Sequence, residues 1–399
     1  MARILIEFFG DESAENTAPL LYGKYDRVIY FSFGGEEPGS RQREVLEELI
    51  PKKFGAEVVF LTVQNKTLGA AYRNFSELWR EGDEYVFDLT GGSQLFSAAV
   101  GIFVSAAEKP GVSVAVLDIA KGTEYVQYPE YAEKSAEYKF GVDELISLCG
   151  GRVISKSKTY AEISGNSRLR SEIVRMWDAV KSIPSDWNRF CSMTNYREGS
   201  HVKKKLSRAD DKKTVERLIG MLKRRDIIRN DRLYIDERGR TYLEYDLSPR
   251  AKTVEMYEKS GTVLELYTCL AAGECGSFSE VCSGVVLDLD GLITKKRGDP
   301  VNEIDVMAVY RNRPVLISCK NCKPTKEHLY EILTMAEQYG GKYAIPALVC
   351  SETAFEPVRE RASEMGVILI DNVYDTPLKK LKDILVRYFP SDRRTNAET

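Results

Sequence analysis

Histidine is scarce in this chain: His201 and His328 are the only two in 399 residues. So few histidines argue against catalysis built on several of them. They also argue against a metal-independent ribonuclease site, which needs arginine and histidine at close helical spacing. No apolar run is long enough to cross a bilayer, so no membrane partner is expected. The opening Met1–Glu7 stretch reads as a strand rather than a secretory leader, and the expected location is cytoplasmic. Eight cysteines are scattered along a long chain, which argues against a disulfide framework. Cys319-x-x-Cys322 is a single tight pair, and Cys269, Cys275 and Cys282 supply no second one, so the pattern of a structural zinc site is missing. Neither a G-x-G-x-x-G fingerprint nor a G-K-[ST] phosphate loop occurs, which disfavours NAD binding and ATP hydrolysis.

Hydrophobic residues at 43% and charged residues at 29% suit a soluble globular protein long enough for two or three domains. The net charge of −3 hides an asymmetry: residues 1–150 carry −10, residues 151–240 carry +11 and residues 241–399 carry −4. A basic middle between acidic ends suits contact with a nucleic acid backbone, or else a solvated basic helix face. Three segments are expected: 1–150, a basic connector at 151–249, and 250–399.

Residues 1–130 alternate strand and helix signals, with apolar β-rich runs at Arg3–Phe9, Arg27–Phe33, Glu57–Val63, Glu84–Leu89 and Val112–Asp118. Helical spacing falls between them, and the alternation predicts a mostly parallel α/β sheet of Rossmann-like plan. The informative turn is Asp88-Leu89-Thr90-Gly91-Gly92-Ser93-Gln94, which follows a buried strand and opens a helix. Glycines let a ligand approach the backbone, and a helix start offers free N–H groups to an anion. The first strand leads into a second polar loop, Gly10-Asp11-Glu12-Ser13-Ala14. Both loops belong at the carboxyl ends of their strands, where such sheets bind ligands.

This arrangement resembles the CARF domain of type III CRISPR accessory proteins over roughly residues 1–150. The resemblance implies a homodimer that binds cyclic oligoadenylate through the loops after the first and fourth strands. The matching ligand-binding positions are Gly10, Asp11, Glu12, Ser13, Ala14, Thr90, Gly91, Gly92, Ser93 and Gln94. A ring nuclease that degrades its own activator is a rival reading, with Thr90 and Ser93 positioning a ribose 2′-OH, although no dedicated base is visible.

After Gly151 the pattern changes. Lys156–Leu169 reads as polar and exposed, Ser171–Ile183 as an amphipathic helix, and about 185–246 as a small winged-helix-like module. In the last third, Val301–Val306 and Leu316–Asn321 read as two short strands around a turn, with Glu303 and Asp305 on the first and Lys320 on the second. Carboxylates and a lysine displayed together suit a hard metal ion and chemistry on phosphate. The surrounding order is helix, three strands, helix, strand, helix, strand and a final helix. It resembles the PD-(D/E)XK restriction-endonuclease-like core.

On that resemblance the catalytic set is Glu265 from the preceding helix, Asp305, Ser318 in the [DE]-x-K position, and Lys320, with Glu303 as an auxiliary carboxylate. Glu265, Asp305 and the backbone carbonyl of Cys319 are the expected ligands of Mg²⁺ or Mn²⁺. Ser318 departs from the pattern, since many relatives have glutamate there, and Glu303 or Glu331 is a candidate replacement. Together the two resemblances imply a metal-dependent nuclease acting on DNA and/or RNA and activated by cyclic tetra-adenylate. The alternative is a ligand-responsive nucleic-acid-binding regulator whose nuclease domain is degenerate.

Overall fold

Near-continuous apolar runs become parallel strands because both faces of such a sheet are covered. The computed structural model describes residues 1–106, 109–194, 197–207, 212–248, 259–288 and 301–391. The first sheet contains β1 (Arg3–Phe8), β2 (Arg27–Phe33), β3 (Glu57–Val63), β4 (Glu84–Asp88), β5 (Val112–Asp118), β6 (Thr123–Tyr128) and β7 (Ala132–Ser135). Its order is β3-β2-β1-β4-β5-β6-β7; the first five strands are parallel, and β6 and β7 extend the edge as an antiparallel hairpin. This is the Rossmann-like plan that the alternation predicts. The Leu68–Leu78 and Gln94–Ser105 helices contribute to an aromatic core with Phe8, Phe31, Phe75, Phe87 and Phe96.

The next segment is polar and has no buried residue, as expected, but it is a strand: Arg152–Thr159 (β8) is an edge strand of a different sheet, paired antiparallel with Glu280–Asp288. Ser167–Ser182 forms the expected amphipathic helix and buries Ile173, Met176, Trp177 and Val180. Four strands follow, β9 (Arg197–Glu198), β10 (His201–Lys205), β11 (Ile228–Ile235) and β12 (Thr241–Leu247), in the order β11-β12-β10-β9. The Pro184–Thr194 and Lys212–Arg224 helices accompany them.

The last sheet contains β13 (Glu280–Asp288), β14 (Val301–Tyr310), β15 (Arg313–Lys320), β16 (Ile345–Cys350) and β17 (Ile368–Ile370). Its order is β17-β16-β15-β14-β13-β8, antiparallel from β8 to β15 and parallel from β15 to β17. One face packs on the Thr262–Cys275 and Leu378–Tyr388 helices. The other face joins the first sheet in a continuous core: Leu5, Tyr30 and Val86 belong to the same cluster as Met307, Leu316, Leu329 and Ile332. Part of the expected Val254–Leu270 helix and the whole expected Asp290–Pro300 loop lie outside the described residues.

Candidate functional site

The β14–β15 hairpin closes through Arg311 and Asn312, both with positive φ (49° and 58°), the backbone twist that a two-residue hairpin turn requires. Val306 faces Ile317 in the ladder, so the preceding Asp305 comes opposite Ser318. Its Oδ2 accepts the Cys319 N–H at 2.6 Å and the Ser318 hydroxyl at 3.2 Å. Ser318 therefore positions the aspartate rather than adding a charge. Burial raises the proton affinity of Asp305 above the usual carboxylate range, against the Cys319 N–H and the Lys320 charge.

Lys320 extends from the end of β15 and pairs with Glu331 at 3.0 Å, on the Lys326–Gly340 helix. Burial disfavours the ammonium, but this carboxylate outweighs it and holds Lys320 above its ordinary range. Asn302, Glu303, Asp305, Ser318, Lys320 and Glu331 share one cleft of about 140 Å³. Glu303 pairs with Lys259 at 3.0 Å, a partner the sequence reading did not identify. His328 was also overlooked: burial and the neighbouring Lys320 charge lower its pKa. Its spacing of three from Glu331 on one helix face was the available signal.

Glu265 stands in the first turn of the Thr262–Cys275 helix. Burial, followed by the charges of Asp305 and Glu303, pushes its carboxyl up to about 8. Mutual repulsion among these three acids is the electrostatic condition that a divalent cation relieves, and carboxylate oxygens suit a hard cation in kind. As arranged, however, no three His, Cys, Asp or Glu side chains among the described residues cluster as a metal site. Cys319 has a buried side chain, and its thiol is raised by burial.

The other predicted site lies between β1 and β4, neighbours at the point where the strand order of the first sheet reverses. Here the two loops meet through their backbones. A Cβ on Gly10 would lie 3.2 Å from the Gly92 nitrogen, and a Cβ on Gly92 (φ +78°) would lie 2.3 Å from Phe8 Cβ. Asp11, Gly92 and Gln94 are exposed, and Gly91 borders Glu15. Ser93 caps the helix by accepting the Leu95 N–H at 3.3 Å. The Thr90 hydroxyl donates to Asp88 at 2.8 Å and accepts the Leu117 N–H at 2.7 Å. Both hydroxyls thus serve the loop's own geometry, Thr90 as donor and acceptor and Ser93 as acceptor.

Glu12, Ser13 and Ala14 border residues that flank the last sheet. Glu12 accepts the Lys342 N–H at 3.2 Å. Ser13 and Ala14 line a small cavity with Arg313 and Tyr343. Glu15 accepts from Lys342 Nζ at 3.0 Å and the Tyr343 hydroxyl at 2.7 Å. The first loop is thereby tied to the segment that leads into β16.

No protein-family model matches the chain, and no curated protein matches it in sequence. Solved structures do match over nearly its full length. Protein VC1899 from Vibrio cholerae superposes with a TM-score of 0.71 at 15% identity, covering 97% of this chain and 98% of that one. Can2 from Sulfobacillus thermosulfidooxidans, solved in complex with cyclic tetra-adenylate, superposes with a TM-score of 0.67 at 12% identity, covering 98% of this chain and all of that one (100%). At these identities the likeness establishes a shared fold. Among the described residues no helix is long and apolar enough to cross a membrane.

Proposed function

We propose that the chain is a metal-dependent nuclease of type III CRISPR defence, working as a homodimer and activated by cyclic tetra-adenylate. The main support is one arrangement: a full-length fold shared with a protein solved with cyclic tetra-adenylate, carrying Asp305 and Lys320 in one cleft of the last sheet. The crevice between β1 and β4 is the ligand site, with Gly10, Asp11, Gly91, Gly92 and Gln94 nearest to it. The last sheet with its helices is the PD-(D/E)XK-like unit, and DNA and/or RNA is the substrate.

Asp305 and Glu265 would hold Mg²⁺ or Mn²⁺, with Glu303 the nearest auxiliary carboxylate. A bound divalent cation supplies Lewis acidity toward the phosphate and toward attacking water. Asp305 is fixed for its part by the Cys319 N–H and the Ser318 hydroxyl. Lys320 stands to stabilise charge developing on the phosphoryl oxygens, once Glu331 yields it to the substrate. Glu12 and Glu15 provide a physical link from the ligand crevice to β16, which pairs with the Lys320-bearing strand. Ligand shifts activity only if it binds the active arrangement better.

A specific observation favours a second reading, a nucleic-acid-binding regulator with a degenerate nuclease: Ser318 replaces a carboxylate, and no three-ligand cluster forms among the described residues. Titrating Mn²⁺ against plasmid and single-stranded substrates, with EDTA controls, separates the two. Cleavage that saturates with metal supports the nuclease; retained binding without cleavage at any metal concentration supports the regulator.

A further inference from the structure

A further cavity belongs to neither site. It is a cleft of about 490 Å³ between the β6–β7 hairpin of the first sheet and the β14–β15 turn of the last. That volume lies within the usual range for small-ligand pockets, ~300–1,000 Å³. Among the described residues its lining contains three cations, Lys121, Lys139 and Arg311, and no carboxylate. Ser277 and Ser279 add hydroxyls from the segment after the Thr262–Cys275 helix. Ser277 Oγ is buried, beside the Cys275 thiol. Asn312 also lines the cleft; its Oδ1 accepts the Phe140 N–H at 3.1 Å, which leaves its NH₂ group as a donor.

We infer that this cleft binds a phosphate-bearing small molecule of nucleoside mono- or diphosphate size. A concave wall with cations and neutral donors and without acids suits a compact multivalent anion, because each charge-assisted hydrogen bond is stronger than a neutral one. Asp118 stands just outside, paired with Lys121 at 3.1 Å, so an incoming phosphate replaces that carboxylate as the Lys121 partner. Arg311 stacks on the Tyr310 ring at 5.1 Å, which holds its guanidinium at the cleft's edge. The two halves approach closely here: a Cβ on Gly122 would lie 3.4 Å from Arg311 Cβ. A ligand in the cleft touches the first and last sheets together and therefore stabilises their present arrangement. The inference does not depend on the nuclease reading.

The test is calorimetric titration of the full chain, in EDTA, with ADP, AMP, inorganic pyrophosphate and adenosine. Wild type binds ADP and at least one other phosphate probe saturably, more weakly at higher salt, and does not bind adenosine. Lys121→Ala/Lys139→Ala weakens that binding by about tenfold or more, as loss of two charge-assisted contacts requires, with an unchanged circular dichroism spectrum. Gln94→Ala, in the other crevice, leaves it unchanged. Pyrophosphate binding as tight as ADP binding identifies the phosphate group itself as the ligand; tighter ADP binding identifies a nucleotide. No phosphate binding, equal binding in the lysine double variant, or loss on Gln94→Ala would overturn the inference. Should the double variant lose its native spectrum, Ser277→Asp provides the second test, by placing a carboxylate in the same wall; undiminished binding there overturns it too.

Discussion

Thr90 has its hydroxyl occupied on both sides, by Asp88 and by the Leu117 N–H. The consequence falls on Asp88, which is buried and has its pKa raised to about 7, chiefly by desolvation and against the Thr90 hydrogen bonds. The folded protein thus binds a proton at Asp88 that the unfolded chain has released at any pH between the ordinary value of 3.8 and about 7. Stability therefore falls as pH rises through that window, and the full cost of the buried charge is present above it. Asp88→Asn keeps one of the two acceptor oxygens that Thr90 uses and removes the titration. It should flatten the pH dependence of the urea midpoint between about pH 5 and 8; an unchanged slope would show that Asp88 is not the titrating group. At the other site, Asp305→Ala and Lys320→Ala should each lower cleavage by about 10²–10³-fold or more, as loss of a preorganised charge does elsewhere. Cyclic tetra-adenylate affinity, measured by calorimetry, should stay the same. Full cleavage by either variant would remove that residue from the reaction.

Among the elements, the Thr262–Cys275 helix bears the largest positional burden, since it brings Glu265 to the end of the last sheet. Its fit depends on Gly273, where a Cβ would lie 2.0 Å from the Tyr160 ring. Gly273→Ala should destabilise the protein by about 1–3 kcal/mol through overpacking. Tyr160→Leu should relieve part of that cost, giving a coupling energy of about 0.5–3 kcal/mol in a double-mutant cycle read by urea unfolding; strict additivity would refute the contact. A second elemental contact is the tie from Glu15 to Lys342 and Tyr343. Lys342→Ala/Tyr343→Phe should reduce the stimulation of cleavage by ligand while leaving ligand affinity within about threefold, since it cuts the link and not the crevice. Undiminished stimulation would route the coupling elsewhere.

These elements also mark what the residues reveal by themselves. The five parallel strands were legible because each is a dense apolar run, and the hairpin from Val301 to Lys320 was legible from its charges and turn. β8 was not: Lys156 and Lys158 belong to an edge strand, whose open side tolerates lysine, so the stretch reads as polar and exposed rather than as a strand. The Ser318–Asp305 bond follows once the hairpin register is known, whereas Glu12 meets Lys342 across 330 residues and no local pattern signals it. Lys259 was missed as the Glu303 partner for the same reason: the pair is set by tertiary packing.

At the scale of the whole molecule, the first and last sheets share one apolar core, and on the proposed function a ligand-induced shift in one would reach the other through those packed side chains. The basic middle segment, including β10 with its three lysines, is placed on neither the ligand crevice nor the Asp305 cleft. On the proposed function, occupancy of the β1–β4 crevice controls phosphodiester cleavage at Asp305 and Lys320. The most direct measurement is the initial rate of plasmid and single-stranded DNA and RNA cleavage in Mn²⁺, with and without cyclic tetra-adenylate. Cleavage of at least one substrate should require the ligand and stop in EDTA. Equal rates with and without ligand, or activity undiminished by EDTA, would contradict it.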